Sequence, residues 1–294
     1  MKKLQKKCSV AAFIDILGYK ELIQNESADK EIELFNELKT TIDFALISTV
    51  ETIKVMLNYL DNKLDVTEKI SSKLNVKQFS DNIYFSFDYD ENDDEELGFG
   101  IYIISTISLV YQKSMLGKGY FVRGGIAHGL NMVDKNFIFS NALIDAVQTE
   151  KDTIYPRITL HPKLKEQFLK LNNSQLTELI MPMYVEDWAG HIFINPFNQI
   201  SNNQKTIEML SQEQLDEIET SLTKLHKRMI NKLNNEFSYL LNDKEFNSIS
   251  RAHISKKIKK YKFRTQSIYE KYLWLRNFLN WVENKQSDLT FRNL

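Results

Sequence analysis

Residues 9–17, SVAAFIDIL, form a nearly continuous apolar run broken by one charge, Asp15. A strand covered on both faces has this pattern, whereas a half-solvated strand alternates polar and apolar residues. The run therefore predicts a buried central strand, and the rest of the chain must supply the layers that cover it. Residues 31–59 place Ile32, Phe35, Leu38, Ile42, Leu46 and Ile53 at spacings of three, four and seven, which predicts an amphipathic helix. Residues 76–87, VKQFSDNIYFSF, read as two strands meeting at the turn Ser80-Asp81-Asn82. Residues 88–96 hold seven acids in nine positions, a solvated loop whose last acids favour a helix N-terminus. That helix follows over 97–116. It is apolar on most faces and is expected to pack on the sheet.

Five of the nine glycines lie between Gly117 and Gly129, in and around the strand YFVRGGIAHG at 120–129. Glycine weakens a strand, so the clustering points to close approach by a backbone or a ligand. A short strand at 136–139, a helix over 140–151 and a strand at 155–160 complete the order. The expectation is an α+β chain with a ferredoxin-like βαββαβ core. A soft boundary near residue 160 separates this core, 1–160, from a mostly helical extension, 161–294. In the extension, 161–179 reads as a helix and 190–195 as a strand. Residues 205–241 and 256–282 read as two long helices forming a hairpin, with Trp274 and Trp281 on one face.

Composition limits the function classes. The 294 residues are 43% hydrophobic and 26% charged, enough for one large domain or a domain plus an extension. Lys+Arg of 38 against Asp+Glu of 39 gives a net charge of −1, which does not imply a nucleic-acid coat. The lone Cys8 excludes a disulfide framework and a cysteine zinc site. The uncharged stretch 97–112 is shorter than the roughly 20 residues of a membrane span, and the apolar run after the basic start is too short for a signal sequence. The expected location is the cytoplasm, with no membrane partner.

The sharpest chemical feature is a pair of acids in apolar strand sequence, Asp15 in FIDILG and Asp81 in FSDNIY. An unpaired buried carboxylate is costly and needs a cation, a donor network or a metal. Two readings stand at this point. Asp15 caps a helix after Gly18 while Asp81 builds a turn, or two adjacent strands bring both carboxylates to a shared Mg²⁺.

Four stretches in order resemble the class III nucleotidyl cyclase catalytic domain. They are Phe13-Ile14-Asp15-Ile16-Leu17-Gly18-Tyr19, Lys77-Gln78-Phe79-Ser80-Asp81, Arg123-Gly124-Gly125-Ile126-Ala127-His128-Gly129, and the helix opening Ser140-Asn141-Ala142-Leu143-Ile144-Asp145-Ala146. The likeness covers residues 9–160 and is similar in flavour to a divergent bacterial branch that includes the anti-phage Pycsar pyrimidine cyclases. It implies that Asp15 and Asp81, with the carbonyl of Ile16, hold two Mg²⁺ or Mn²⁺ ions. It also implies attack of a ribose 3′-oxygen on the α-phosphorus with pyrophosphate leaving, giving a 3′,5′-cyclic nucleotide as an anti-phage or stress signal. Gly18, Tyr19 and Lys20 would meet phosphate oxygens, and Lys77 and Asn141 would read the base. A homodimer with the site at the interface is implied as well. Where the family usually carries Asn and Arg on the later helix, this chain has Ile144 and Gln148. Arg123, Lys135, Lys151 and Arg157 are the candidate replacement cations. Without one, the alternative is a catalytically silent nucleotide-binding regulatory module.

The remaining features read as structural. The histidines show no metal-ligand spacing, and His128 reads as a satisfied strand histidine. Residues 251–264, with eight basic or histidine side chains in fourteen, read as a solvated helix face balancing the acidic run at 88–96. A third function, RNA binding on an α/β sandwich, lacks the expected aromatic-basic strand motif.

Overall fold

Strand β1 (Lys7–Ile16) is hydrogen-bonded on both edges in the computed structural model, which describes residues 7–24, 28–59, 66–134, 137–171, 179–197, 238–262, 266–284 and 291–293. Its neighbours are both antiparallel: β3 (Asn82–Tyr89), which pairs with β2 (Leu74–Phe79), and β4 (Val122–Val133). The pleat sends alternate side chains to opposite faces. Val10, Ala12, Ile14 and Ile16 enter the main core, while Ala11 joins Tyr84 and Ala142 on the other face. Both faces are covered, which is why the run reads as apolar throughout.

The main-core face is covered by α4 (Asp94–Gly117), and α2 (Ala28–Tyr59) packs on α4 from outside. The acidic run supplies the α4 cap. Asp93 accepts the backbone N–H groups of Glu95 and Glu96 at 2.9 and 3.0 Å, satisfying donors that a helix start leaves open. From Leu97 onward every residue of α4 is buried, which accounts for its lack of a polar face. The other face of the sheet carries α5 (Asn141–Asp152), capped by Ser140 and following the short strand β5 (Ile138–Ser140). Here a glycine is required. A Cβ on Gly125 would stand 2.2 Å from the Ala146 carbonyl oxygen, so only glycine lets α5 approach β4.

Beyond β4 the sheet is mixed. β6 (Ile158–Leu160) runs parallel to β4, and β8 (Ile192–Ile194), β7 (Tyr184–Asp187) and β9 (Phe291–Asn293) extend that edge. The order is β2-β3-β1-β4-β6-β8-β7-β9, with β5 on the far part of β4. Strands from the residues after 160 thus continue the sheet of the residues before it. Helix α1 (Tyr19–Gln24) follows β1, α3 (Val66–Lys73) precedes β2, and α6 (Pro162–Lys170) follows β6.

Several expectations change. The strand read at 155–160 begins only at Ile158, because Pro156 has no N–H for a ladder and the Arg157 N–H bonds the Tyr155 carbonyl at 2.8 Å. The continuous helix read over 256–282 is two helices, α7 (Asp243–Tyr261) and α8 (Gln266–Asn284). They fold back on each other. Tyr261 stacks on Tyr272 at 5.9 Å, and near the far ends Arg251 reaches Asn280 at 2.8 Å and ion-pairs with Glu283. The hairpin is therefore between these two helices, and the helix read at 205–241 lies outside the described residues except for a short 3-10 turn at Ser238–Leu241. Trp274, Phe278, Trp281, Phe193 and Phe291 form an aromatic cluster between the hairpin and the added strands. The basic run does not balance the acidic one. Asp88 and Glu96 pair with Lys7 and Lys73 at 3.2 and 2.6 Å, whereas Lys260 and Arg251 pair with Glu21 and Glu283.

Candidate functional site

Asp15 occupies the next-to-last position of β1, opposite Asn82 on β3 and Arg123 on β4. Asp81 lies in the two-residue link between β2 and β3, where Ser80 takes a left-handed φ of 56°. The turn is pinned to β1: the Ile16 N–H donates to the Asp81 carbonyl at 3.2 Å, and the Asn82 side-chain amide donates to Asp81 Oδ1 at 3.0 Å. This places the two aspartates side by side at the end of β1, close enough for the Asp81 carboxyl to act on that of Asp15. Both aspartates are half-buried.

The electrostatics follow from this crowding. Burial raises the Asp15 pKa from the usual 3.8, the charges of Glu150 and Asp81 raise it further, and Arg123 opposes them; the result is about 6. Glu150 sits near the end of α5, 4% exposed, and its carboxylate forms an ion pair with Arg123. The same guanidinium lies 3.7 Å from Asp15 and donates to the Thr153 carbonyl at 3.4 Å. Arg123 is thus shared between two carboxylates, with Glu150 the nearer. Below them Tyr111 on α4 is fully buried, its phenol pushed up by burial and by the Asp15 charge. Arg123 thus stands between Asp15 and Glu150 at the end of β1, with Asp81 beside Asp15.

The donor set suits a hard divalent cation. Oxygen ligands from two crowded carboxylates are what Mg²⁺ takes, and a bound ion would relieve the repulsion that raises Asp15. Among the described residues no group of three or more His, Cys, Asp or Glu side chains is arranged to hold an ion. An ion held by Asp15 and Asp81 would complete its shell with water and substrate oxygens, the usual Mg²⁺ arrangement.

The other expected site residues distribute as follows. Gly18 takes φ 78°, and its carbonyl receives the N–H groups of Glu21 and Leu22 at 3.0 and 3.2 Å as the chain enters the six-residue α1. Tyr19 is half-buried and Lys20 is exposed. Lys77 is half-buried on β2 in register with Tyr84, which pairs with Phe13, so it lies on the α5 side two strands from β1 and two positions from the level of Asp15. Asn141 opens α5 beside Gly129, six strand positions from the level of Asp15, a separation of about 20 Å at ~3.3 Å per residue. Asn141, Ile144 and Gln148 are all exposed; Ile144 is 66% exposed, and Gln148 donates to Asp152 at 2.9 Å.

Of the four candidate cations, Arg157 is corrected. It is 4% exposed, ion-paired with Asp187 at 2.6 Å, and lies over the rings of Phe193, Trp274 and Tyr155 at 4.8, 5.4 and 5.6 Å. It clamps the added strands to the hairpin and is not available to a substrate. Lys151 is exposed on α5, and Lys135 lies outside the described residues. His128 bonds the Tyr89 hydroxyl at 3.0 Å through Nδ1, the satisfied strand histidine that was expected.

Two residues at the site were missed. Glu150 had a local signal: it follows Ala142 and Ala146 at helical spacing on the face that packs against Gly125. Lys271, on α8, had none. It lies within electrostatic range of Asp15, Arg123 and Glu150 from a position more than a hundred residues away in sequence. No protein-family model and no curated protein matches the chain.

Proposed function

We propose that this protein is a metal-dependent nucleotidyl cyclase, converting a nucleoside triphosphate to a 3′,5′-cyclic nucleotide and pyrophosphate. The observation that carries the reading is the placement of Asp81, in the link bonded to the end of β1, beside Asp15; burial first, and the Glu150 and Asp81 charges second, raise the Asp15 carboxyl to about 6. These two residues, with the Ile16 carbonyl, would hold Mg²⁺ or Mn²⁺; bound there, the ion supplies charge neutralisation of the triphosphate and acidifies the ribose 3′-hydroxyl. Arg123 positions Asp15 while Glu150 holds Arg123 from the other side. The chain path supports a ferredoxin-like core: a strand, helices, a two-strand hairpin, a helix, the glycine strand, and a helix leading to a parallel strand.

The reading calls for a second copy of the chain. Asn141 and Asp15 of one chain are too far apart to serve one nucleotide, which spans less than their ~20 Å separation. Asn141 is flanked by exposed apolar side chains, Phe139 and Ile144, each 66% exposed, a combination that favours burial against another surface. A homodimer would bring the Lys77 and Asp15 of one protomer to the α5 face of the other. A cytoplasmic stress or anti-phage signal is the role we assign to the product; no described helix is long and apolar enough to cross a membrane.

One observation favours a second reading. Ile144 can donate nothing to a phosphate, and Gln148 is engaged by Asp152. A missing preorganised donor costs several kcal/mol of barrier, so the alternative is a nucleotide-binding module without turnover. Incubation with each of ATP, GTP, CTP and UTP plus Mn²⁺ or Mg²⁺, followed by mass spectrometry, separates them. Cyclic product that is lost in Asp15→Asn and Asp81→Asn supports the cyclase. Metal-dependent binding without product from any of the four supports the module. Neither binding nor product refutes both.

A further inference from the structure

The hairpin of α7 and α8 bears on the same end of the sheet as the paired aspartates. Phe121, just before β4, fixes the contact: its carbonyl accepts the Leu17 N–H at 2.8 Å, so it stands where β1 ends. On one side the ring of Tyr272 meets Phe121 edge-on at 4.9 Å. From the other arm of the hairpin, Lys257 Nζ lies 5.8 Å from the centre of the same ring. One turn beyond Lys271, Trp274 stacks on Tyr155 at 4.7 Å with the rings 8° from parallel. Tyr155 lies two residues beyond Thr153, whose carbonyl receives Arg123. These contacts lay the turn holding Lys271 across the gap between the start of β4 and the chain after α5.

We propose that Lys257 and Lys271, one from each arm of the hairpin, form with Arg123 a cationic wall that receives the polyphosphate of a nucleotide held at Asp15 and Asp81; this rests on the nucleotide reading of that pair. Both lysines are half-buried. Lys271 forms no hydrogen bond or ion pair with any described residue, and Lys257 is engaged by the Phe121 ring. Burial lowers both ammonium groups; Arg123 lowers Lys271 further while Glu150 and Asp15 oppose it, and Lys260 lowers Lys257 further while Glu21 opposes it. A divalent ion at Asp15 and Asp81 would take up carboxylate charge that now faces Lys271, leaving the half-buried ammonium and Arg123 to an added anion. A polyphosphate has the charge for this, and the carboxylate pair alongside gives a place for its metal. The hairpin is then part of the substrate site, and the charge absent at Ile144 and Gln148 is provided from the C-terminal residues of the same chain.

The test uses the full chain and inorganic tripolyphosphate, which needs no knowledge of the base, titrated calorimetrically in the presence of Mn²⁺. The four 3′-deoxynucleoside triphosphates, which cannot cyclise, serve as second probes. Lys271→Met and Lys257→Met are each expected to weaken binding about tenfold or more, while Lys271→Arg restores it. Lys259→Met removes an exposed charge from the opposite side of the same helix and is expected to leave binding unchanged. Thermal unfolding identifies any variant that does not fold, and Lys271→Gln then replaces it. If the parent chain binds and the Lys257 and Lys271 variants weaken it no more than Lys259→Met, the cationic wall is refuted and the aspartate reading survives. If the parent chain binds none of the five probes with Mn²⁺, the nucleotide reading itself falls.

Discussion

Replacing Asp15 by asparagine is expected to make the metal-free protein more stable while removing its function. In the fold the Asp15 carboxyl has a pKa of about 6 against 3.8 ordinarily, from burial first and the Glu150 and Asp81 charges second. A raised carboxyl retains its proton in the native state where the unfolded chain has lost it. Stability is therefore lost as pH rises from about 4 to 6, and the full cost applies above that window. At ~1.36 kcal/mol per pH unit, the difference between 3.8 and about 6 gives about 3 kcal/mol as a ceiling. The side chain is 20% exposed, so water and salt screen the charge, and about 1–2 kcal/mol is the expected net cost at neutral pH or above.

Asparagine cannot ionise and can donate its amide to Asp81. In a chelating buffer near pH 8, Asp15→Asn should unfold at higher urea than the parent chain, by about 1–2 kcal/mol, with a thermal midpoint raised by about 2–6 °C. Near pH 5 the advantage should fall to about half, since part of the Asp15 population is then protonated. Adding Mg²⁺ or Mn²⁺ near pH 8 should stabilise the parent chain and not the variant, because only the intact pair holds the ion. A variant less stable than the parent near pH 8, or a difference that does not change with pH, would show that Asp15 is not strained by its neighbours.

Glu150→Gln removes a like charge beside Asp15, so carboxyl-carbon NMR should report the Asp15 titration moving down from about 6; an unmoved midpoint would mean that Glu150 is electrostatically remote. Arg157→Met leaves the 5%-exposed Asp187 carboxylate with His191 and the Ala189 and His191 N–H groups only, and should cost about 2 kcal/mol in denaturant unfolding, with part recovered in Arg157→Met combined with Asp187→Asn. The absence of any recovery would show that packing on Trp274 and Phe193, and not the ion pair, is what Arg157 contributes. Gly125→Ala drives a Cβ into the Ala146 carbonyl and should cost at least about 2 kcal/mol, and a neutral result would mean that α5 is free to move off the sheet.

The residues that set the core were legible because their signals are local. The apolar run around Asp15, the Ser80–Asp81 turn, the glycine strand and the Asp93 cap each express a rule acting within a few residues. Strand alternation and a tight hairpin put Asp15 and Asp81 each at a strand end, but left a helix cap and a turn as an equal reading; only the pairing of β1 with β3 set the two side by side. The addition of β7, β8 and β9 to the β6 edge, the burial of Arg157 among rings, and the approach of Lys257 and Tyr272 to Phe121 were settled only in three dimensions. Periodicity identifies which face of a helix is apolar. It does not identify which of several apolar faces that face will meet, because the choice depends on shape and volume complementarity between segments far apart in sequence. Charges carried on those segments reach the site only through that choice, and no spacing along the chain encodes it.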